Sequence, residues 1–347
     1  MELKINNKKF DFFNSFNMTL KYDAIASAFS FNVYFNPENP DHKELMQPGA
    51  YNSCEVIHNG ETLIKGVIIS QTFNNSPVKQ LSALGGYSFT GVLEDCEIPT
   101  SIYPLQSDGL TLKEIAEKII KPFGLSMVID SAVEKEMGEV YDVSKAKVTQ
   151  SCKAYLSELA AQKNVIISHT AKGSLLFTKA KTNQKPFLNF PEATTPATSM
   201  SLSFNGQAMH NSITVMKEAD ADGGNAGEAT ISNPLCNRFR PKVLVQSSGD
   251  DIDTEKAART ALSNELKNVV LTITTDRWEV DEKIIKPNSI ISVHNHELYL
   301  YKKTNWFVEE ITFVGDNKQT TATMKCVLPS VYDNSTPSNI FHIDKHR

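Results

Sequence analysis

Pairs of histidines are the first residues whose types and spacing could do chemistry. His294 and His296 are two residues apart, so on a strand both side chains would face one side and could share a metal ion. His342 and His346 have i, i+4 spacing, but no apolar periodicity supports a helix around them. The first pair has no Cys or further His nearby. We therefore interpret the first pair as a solvated turn and the second as a frayed tail, and predict no metal site.

Carboxylates also occur in close pairs, yet their spacing does not fit general acid–base catalysis. Glu309 and Glu310 are adjacent, and adjacent residues on a strand point to opposite faces. Asp95 and Glu97 can share a face, but no second element supplies the matching acid of a glycosidase. We expect no catalytic residue among these groups.

Two arginines, Arg238 and Arg240, flank Phe239 and could bind phosphate, although arginines in such pairs more often lie in an interface. The sequence contains no glycine-rich phosphate loop, no nucleophile elbow and no paired-cysteine site. These observations predict a protein that is not an enzyme, with no catalytic, cofactor-binding or metal-binding residue and no cofactor.

The composition describes an ordinary soluble globular protein. The 347 residues suffice for two or three domains, and 40% are hydrophobic and 22% charged. A net charge of −5 argues against stable nucleic-acid binding, which needs a basic face. We expect no signal peptide and no membrane anchoring, because no long apolar run occurs. The cysteines are odd in number and widely separated, which predicts buried free thiols in a reducing cytoplasm: Cys54, Cys96, Cys152, Cys236 and Cys326.

Alternation of apolar and polar residues predicts strands at both ends of the chain. Asn6-Asn7 and Asn59-Gly60 predict tight hairpin turns, because these residue types tolerate positive φ. Within 276–332 the apolar positions change phase at Glu309-Glu310, which predicts a β-bulge. Residues 1–99 are therefore predicted to be a first all-β, barrel-like domain.

Between these ends the periodicity becomes helical. Thr111 with Glu114 predicts a capping box, and a second helix is predicted to begin near Thr149 or Ser151. Each helix is followed by a short apolar strand, so residues 100–182 are predicted to be an α+β module of two helix–strand units. A linker is predicted at 183–200, an acidic, glycine-rich flexible loop at 218–234, and a third helix starting at Asp253 or Thr254.

The order of several motifs resembles the phage Mu-type baseplate hub family, also called the tail protein P or late control protein D-like family. The motifs are RPKVLV at 240–245, the alanine-rich helix 256–264, Trp278, KPNSIISV at 286–293, the strand 307–313, Leu328-Pro329, TLKEI at 111–115 and YLSELA at 155–160. The family commonly has glycine where Asn288 stands.

This resemblance implies a mostly β, α+β protein with two small β-barrel-like domains. The second barrel would combine 183–235 with 276–335, with 236–275 as a small helix-containing insertion and 336–347 as a C-terminal tail. The implied function is that of a non-catalytic hub of a contractile phage or prophage tail. It would form a homotrimer that joins the tail tube to the central spike and contacts other baseplate proteins. The implied location is the virion tail baseplate, assembled in the bacterial host cytoplasm.

Two other classes of function remain open. A tail-associated cell-wall hydrolase would need an acid pair or metal cluster in a cleft. A carbohydrate-binding β protein would need an exposed aromatic platform, whereas Trp278 and Trp306 both fall in predicted strands of the core sheet.

Overall fold

Alternating burial favours β-strands, which are the predominant secondary structure of the computed structural model, beside α+β regions. The predicted fold class is thus confirmed. The structure describes residues 1–75, 81–103, 106–142, 145–191, 197–218, 228–246, 253–280, 283–316 and 318–343. Two compact units form: unit 1 is Met1–Lys179 with Thr312–Thr321, and unit 2 is Ala180–Ile311 with Ala322–Arg347.

Unit 1 begins with antiparallel strands joined mainly by short turns. The elements are β1 (Glu2–Ile5), β2 (Lys8–Lys9), β3 (Phe13–Lys21), β4 (Ala28–Val33), α1 (Pro40–Leu45), β5 (Ser53–His58), β6 (Glu61–Thr72) and β7 (Ser82–Ser88). Their order in the sheet is β3-β4-β7-β6-β5-β1-β2. Asn59 and Gly60 have φ of 47° and 79° between β5 and β6, which confirms the predicted two-residue hairpin.

The second part of unit 1 is a helical layer beside a small sheet. Its elements are α2 (Val92–Asp95), α3 (Leu112–Ile120), β8 (Met127–Ile129), α4 (Glu134–Met137), α5 (Cys152–Gln162), β9 (Ile166–His169) and β10 (Leu175–Thr178). The capping box is confirmed, because Thr111 Oγ1 accepts from Glu114 N at 3.2 Å and Glu114 Oε2 accepts from Thr111 N at 2.8 Å. Ser151 caps α5. The apolar stripes of α3 and α5 meet in one core with β9 and β10.

Unit 2 contains strands of a large sheet and a smaller sheet. Its elements are β11 (Leu188–Phe190), β12 (Ala197–Phe204), β13 (Ser212–Lys217), β14 (Glu228–Ser232), β15 (Pro241–Gln246), α6 (Thr254–Leu266), β16 (Val269–Thr275), β17 (Glu279–Val280), β18 (Lys283–Ile284), β19 (Ser289–Asn295), β20 (Leu300–Gly315), β21 (Thr320–Val327) and α7 (Ser330–Asp333). The strands β12, β16, β21 and β20 are successive neighbours; β20 also pairs with β19, and β19 with β11. The small sheet has the order β14-β13-β15.

Several sequence-based expectations need correction. The predicted linker contains β11, which pairs with β19 in parallel, and the predicted loop at 218–234 contains β14, which pairs with β13. Both strands are short and gain their hydrogen bonds from distant segments. Trp278 lies on a bend before β17 rather than in a strand. Cys96 and Cys236 are only half-buried, whereas Cys54, Cys152 and Cys326 are buried free thiols as predicted.

Other expectations from the sequence stay predictions or concern residues outside the described ranges. The buried positions of β20 change phase between Val308 and Ile311, while the bulge at Glu309-Glu310 stays a prediction. The glycine-rich part of the predicted loop, 219–227, lies outside the described residues. β16, which falls in the predicted insertion 236–275, lies between β12 and β21, and the finer domain division stays a prediction. In the described ranges no helix is long and apolar enough to span a membrane.

Candidate assembly surfaces

The two histidines that were candidates for a metal site lie at the end of β19 and in the turn that follows. The ring centroids of His294 and His296 are 5.1 Å apart and perpendicular, and His296 stacks on Tyr301 at 5.0 Å. Among the residues that the structure describes, no group of three or more His, Cys, Asp or Glu could hold a metal ion. His342 lies near the end of the described chain, and His346 lies outside it.

Glu309 is held in a structural ion pair rather than beside a second acid. Its carboxylate accepts from Tyr332 Oη at 2.7 Å and pairs with Lys325 Nζ at 2.9 Å. Burial alone would raise the pKa of Glu309, but the hydrogen bonds from Lys325 and Tyr332 outweigh it, and the pKa lies below its usual value. The group thus links β20, β21 and α7. Asp95 likewise has a structural partner, because it accepts from Tyr87 Oη at 2.6 Å.

Arg240, a candidate phosphate ligand, instead binds backbone. Its Nε donates to Met209 O and its Nη2 to Gln207 O, both at 2.9 Å. The neighbouring Phe239 is 81% exposed, the largest exposure among the large hydrophobic residues described. The segment therefore has one arginine that fixes the start of β15 and one aromatic ring that faces solvent.

A buried carboxylate that the sequence did not reveal holds the small sheet on α6. Glu265 accepts from His210 N at 2.9 Å and His210 Nδ1 at 2.7 Å, and Lys242 Nζ lies 3.1 Å away. Its side chain is 5% exposed. Since His210 precedes β13 and Lys242 lies on β15, this one side chain ties both strands to the helix.

The other face of the small sheet is open. Val243 and Val245 on β15 are 59% and 65% exposed, and they lie beside Thr214 and Met216 of β13. Across the sheet, Thr214 Oγ1 and Thr230 Oγ1 of β14 are 2.8 Å apart. The face is therefore apolar along β15 and polar along β14, and β15 is an edge strand.

A row of six aromatic rings lies on the surface of unit 2. In order, the rings are His294, His296, Tyr301, Tyr299, Phe341 and Phe204, with successive centroids 5.1, 5.0, 5.3, 6.3 and 5.7 Å apart. Two depressions flank the row. One, of about 290 Å³, is lined by Phe190, His294 and Lys303, and the other, of about 370 Å³, by Phe204, Tyr299 and Phe341.

One residue of this row, Tyr299, has a strained backbone conformation. Tyr299 is 49% exposed and has φ of +62°, a left-handed conformation that bulky residues seldom adopt. A large exposed ring held in such a backbone is more typical of a functional surface than of a packing position. No residue spacing in the sequence indicates the row, because its members come from three distant segments.

Unit 1 carries a second group of exposed aromatic rings. Phe12 and Tyr34 are 49% and 45% exposed and are joined by the bond from Tyr34 N to Phe12 O at 2.7 Å. Phe35 and Phe73 pack edge to face at 4.7 Å. Aromatic side chains of this kind are enriched in protein–protein interfaces. The described surface of unit 1 therefore includes exposed aromatic side chains suited to protein contacts.

Comparison with known proteins finds similarity to baseplate and tail proteins. Residues 90–179 match the family "Baseplate hub protein gp44-like, second domain". No curated protein matches the sequence. The fold is similar to that of the 43 kDa tail protein of prophage MuSo2 from Shewanella oneidensis, with 19% identity, a TM-score of 0.78, and coverage of 96% of this chain and 99% of that one.

Two further structures have related folds. A tail protein from Neisseria meningitidis MC58 has 17% identity and a TM-score of 0.78, over 96% of this chain and 98% of that one. The E. coli c3393 protein is a type VI secretion component with structural similarity to the T4 tail proteins gp27 and gp5. It has 10% identity and a TM-score of 0.52, over 98% of this chain and 80% of that one. The resemblance to Mu-type baseplate hub proteins is confirmed. Residues 90–179 thus match the second-domain family of gp44-like baseplate hub proteins, and the chain has a fold similar to that of two tail proteins, one of them from a prophage.

Proposed function

We propose that this chain is a non-catalytic hub of a contractile phage or prophage tail, a homotrimer that joins the tail tube to the central spike. The observation that carries the proposal is the combination of a gp44-like hub domain at 90–179 with the fold of a prophage tail protein over 96% of the chain. The division into two barrel-like domains with an α+β module between them is part of the same proposal. The chain would be assembled in the bacterial host cytoplasm.

The side chains of the candidate chemical groups support a structural role. Glu309, Asp95 and Arg240 each hold another part of the chain, and Glu265 ties two strands to a helix. The exposed aromatic and valine patches are suited to broad contacts with protein neighbours, which bury far more area than a small-molecule pocket does. A spike partner is supported by the fold shared with a protein related to gp27 and gp5.

Electron microscopy of the purified protein tests the trimer. Three-fold ring-shaped particles support the proposal, whereas isolated single chains at the concentrations used for assembly contradict it. Co-purification with the spike protein of the same phage or prophage tests the second part. Persistent separation of the two proteins after co-expression would exclude a direct joint between hub and spike.

The row of aromatic rings makes carbohydrate binding the second candidate function. Sugar rings stack on exposed aromatic faces, but four of the five successive contacts in the row have interplanar angles between 55° and 89°, so edges cover part of the faces. A glycan array with Tyr299→Ala as control distinguishes the roles: binding that the substitution abolishes would favour the carbohydrate function. Peptidoglycan hydrolysis by the purified protein would likewise overturn the non-catalytic assignment.

A further inference from the structure

We infer that β15 is an interface strand, to which a second copy of this chain adds its own edge strand β12. The inference rests on the homotrimer of the proposed function and names the surfaces through which the copies would meet. Its two halves are both strands of unit 2.

The backbone of β15 leaves hydrogen-bonding groups at an open edge. Arg240 O accepts from Asn211 N and Gln246 O from Glu218 N, so the even-numbered residues of β15 direct their backbone toward β13. In a parallel ladder, alternate residues direct both N–H and C=O to opposite sides. Val243 and Val245 therefore direct theirs away from β13. In the described part of the chain β15 has no second neighbour.

Pro241 protects only the start of this edge. Native proteins shield free edges with outward charges, bulges or proline. Here the outward residues after Pro241 are Val243 and Val245, both more than half exposed. The one lysine within the strand, Lys242, turns to the opposite face and pairs with Glu265. An apolar strand edge of this kind favours addition of another strand.

The sheet is preorganised to receive a strand. Glu265 fixes Lys242 from behind, Arg240 binds the carbonyls of Gln207 and Met209, and α6 packs on β13 and β14. Since these contacts already order β15, docking needs little further ordering of the backbone, which lowers the entropic cost of association.

The chain itself supplies a second edge strand. β12 ends the order of the large sheet, and its eight residues include no charged residue and no proline. Thr198, Ser199 and Ser201 on it are exposed. A closed ring of identical chains requires a heterologous contact, in which two different surfaces of each copy meet. Pairing of β15 with β12 of the next copy satisfies that requirement, because β15 after Pro241 and β12 along its whole length carry none of these protective residues on the open edge.

The first experiment places charges on each edge. The β15 variant is Val243→Lys with Val245→Lys, and the β12 variant is Ser199→Lys with Ser201→Lys. The matched control, Thr230→Lys with Ser232→Lys, alters exposed residues on β14 at the opposite edge of the same small sheet. We expect both edge variants to raise the apparent dissociation constant of the oligomer by about tenfold or more, and the control to leave it unchanged. Circular dichroism verifies that all three fold.

Mixing the two edge variants tests the pairing itself. Each variant keeps one intact edge, so a β12 variant can offer its β15 to the intact β12 of a β15 variant. We expect the mixture to form heterodimers but no trimers, whereas either variant alone stays monomeric. If both variants are monomeric and the mixture is too, the pairing of β15 with β12 is wrong.

Hydrogen exchange on the unsubstituted protein gives a test that does not depend on variants. Upon assembly, the amides of Val243 and Val245 should become protected, while those of Leu244 and Gln246 are protected already in the single chain. If the protein is a trimer and the Val243 and Val245 amides still exchange freely, this inference fails while the hub stands. If the protein is a monomer at all concentrations, the homotrimer fails.

Discussion

Replacement of Glu265 tests whether one buried carboxylate holds the small sheet in place. In Glu265→Leu, the side chain keeps a similar volume but accepts no hydrogen bond. His210 N then loses its acceptor in a site where the carboxylate is 5% exposed, and Lys242, 34% exposed, can turn to water.

The expected loss of unfolding free energy in Glu265→Leu follows from these exposed fractions. A buried donor left without an acceptor costs about 1–3 kcal/mol. The loss of the charge-assisted bond from His210 Nδ1 adds roughly 1 kcal/mol, reduced because that ring is 26% exposed. The contribution of Lys242 is small because water screens it. We expect the free energy of unfolding of unit 2 to fall by about 2–4 kcal/mol.

Urea denaturation measured separately for the two units, by hydrogen exchange at β13 and at α3, gives this quantity. Glu255→Gln is the matched control on the same helix, since Glu255 forms an exposed i, i+4 pair with Arg259 and its loss costs only about 0.5 kcal/mol or less. The reasoning is refuted if Glu265→Leu destabilises β13 no more than the control does, or if α3 loses stability equally.

Three further predictions concern single sites. Asn288 has φ of +63°, and its side chain accepts a hydrogen bond from Lys181 N at 2.9 Å. In urea denaturation, Asn288→Ala should lower the free energy of unfolding by about 2 kcal/mol, and Asn288→Gly should lower it less. Equal losses for the two variants would contradict the left-handed assignment. Because the pKa of Glu309 is lowered on folding, its stabilisation is present above the unfolded pKa and lost as pH falls through the folded pKa. The difference in urea midpoint between the protein and Glu309→Gln should therefore shrink below about pH 4, and a constant difference would contradict the ion pair. Burial raises the pKa of Cys54 to about 12 and that of Cys152 to about 11. Before unfolding, a thiol reagent should therefore label only the half-buried cysteines, Cys96 and Cys236. Peptide mass spectrometry identifies the labelled residues.

Local signals were the part of the fold that the sequence predicted well. The Thr111 capping box, the Ser151 cap and the Asn59-Gly60 hairpin each depend on residues within a few positions of one another. β11 and β14 were missed because each is too short to show periodicity and exists only through pairing with a distant strand.

The candidate surfaces also depend on contacts between distant segments, which the sequence alone does not indicate. Val243 and Val245 lie in a motif that resembles the hub family, but their exposure depends on α6 packing on the other face of the sheet. Phe204, Tyr299 and Phe341 become neighbours only in the folded chain, so no spacing in the sequence indicates the aromatic row. Asn288 stands where the family commonly has glycine, and its positive φ explains why a residue that tolerates the left-handed conformation suits the position.

The most direct test of the hub assignment is the absolute mass of the purified protein in solution, by light scattering on a sizing column. We predict a species of three times the 38.5 kDa chain mass. A stable monomer at high concentration, also after addition of the spike protein, would contradict the trimeric hub.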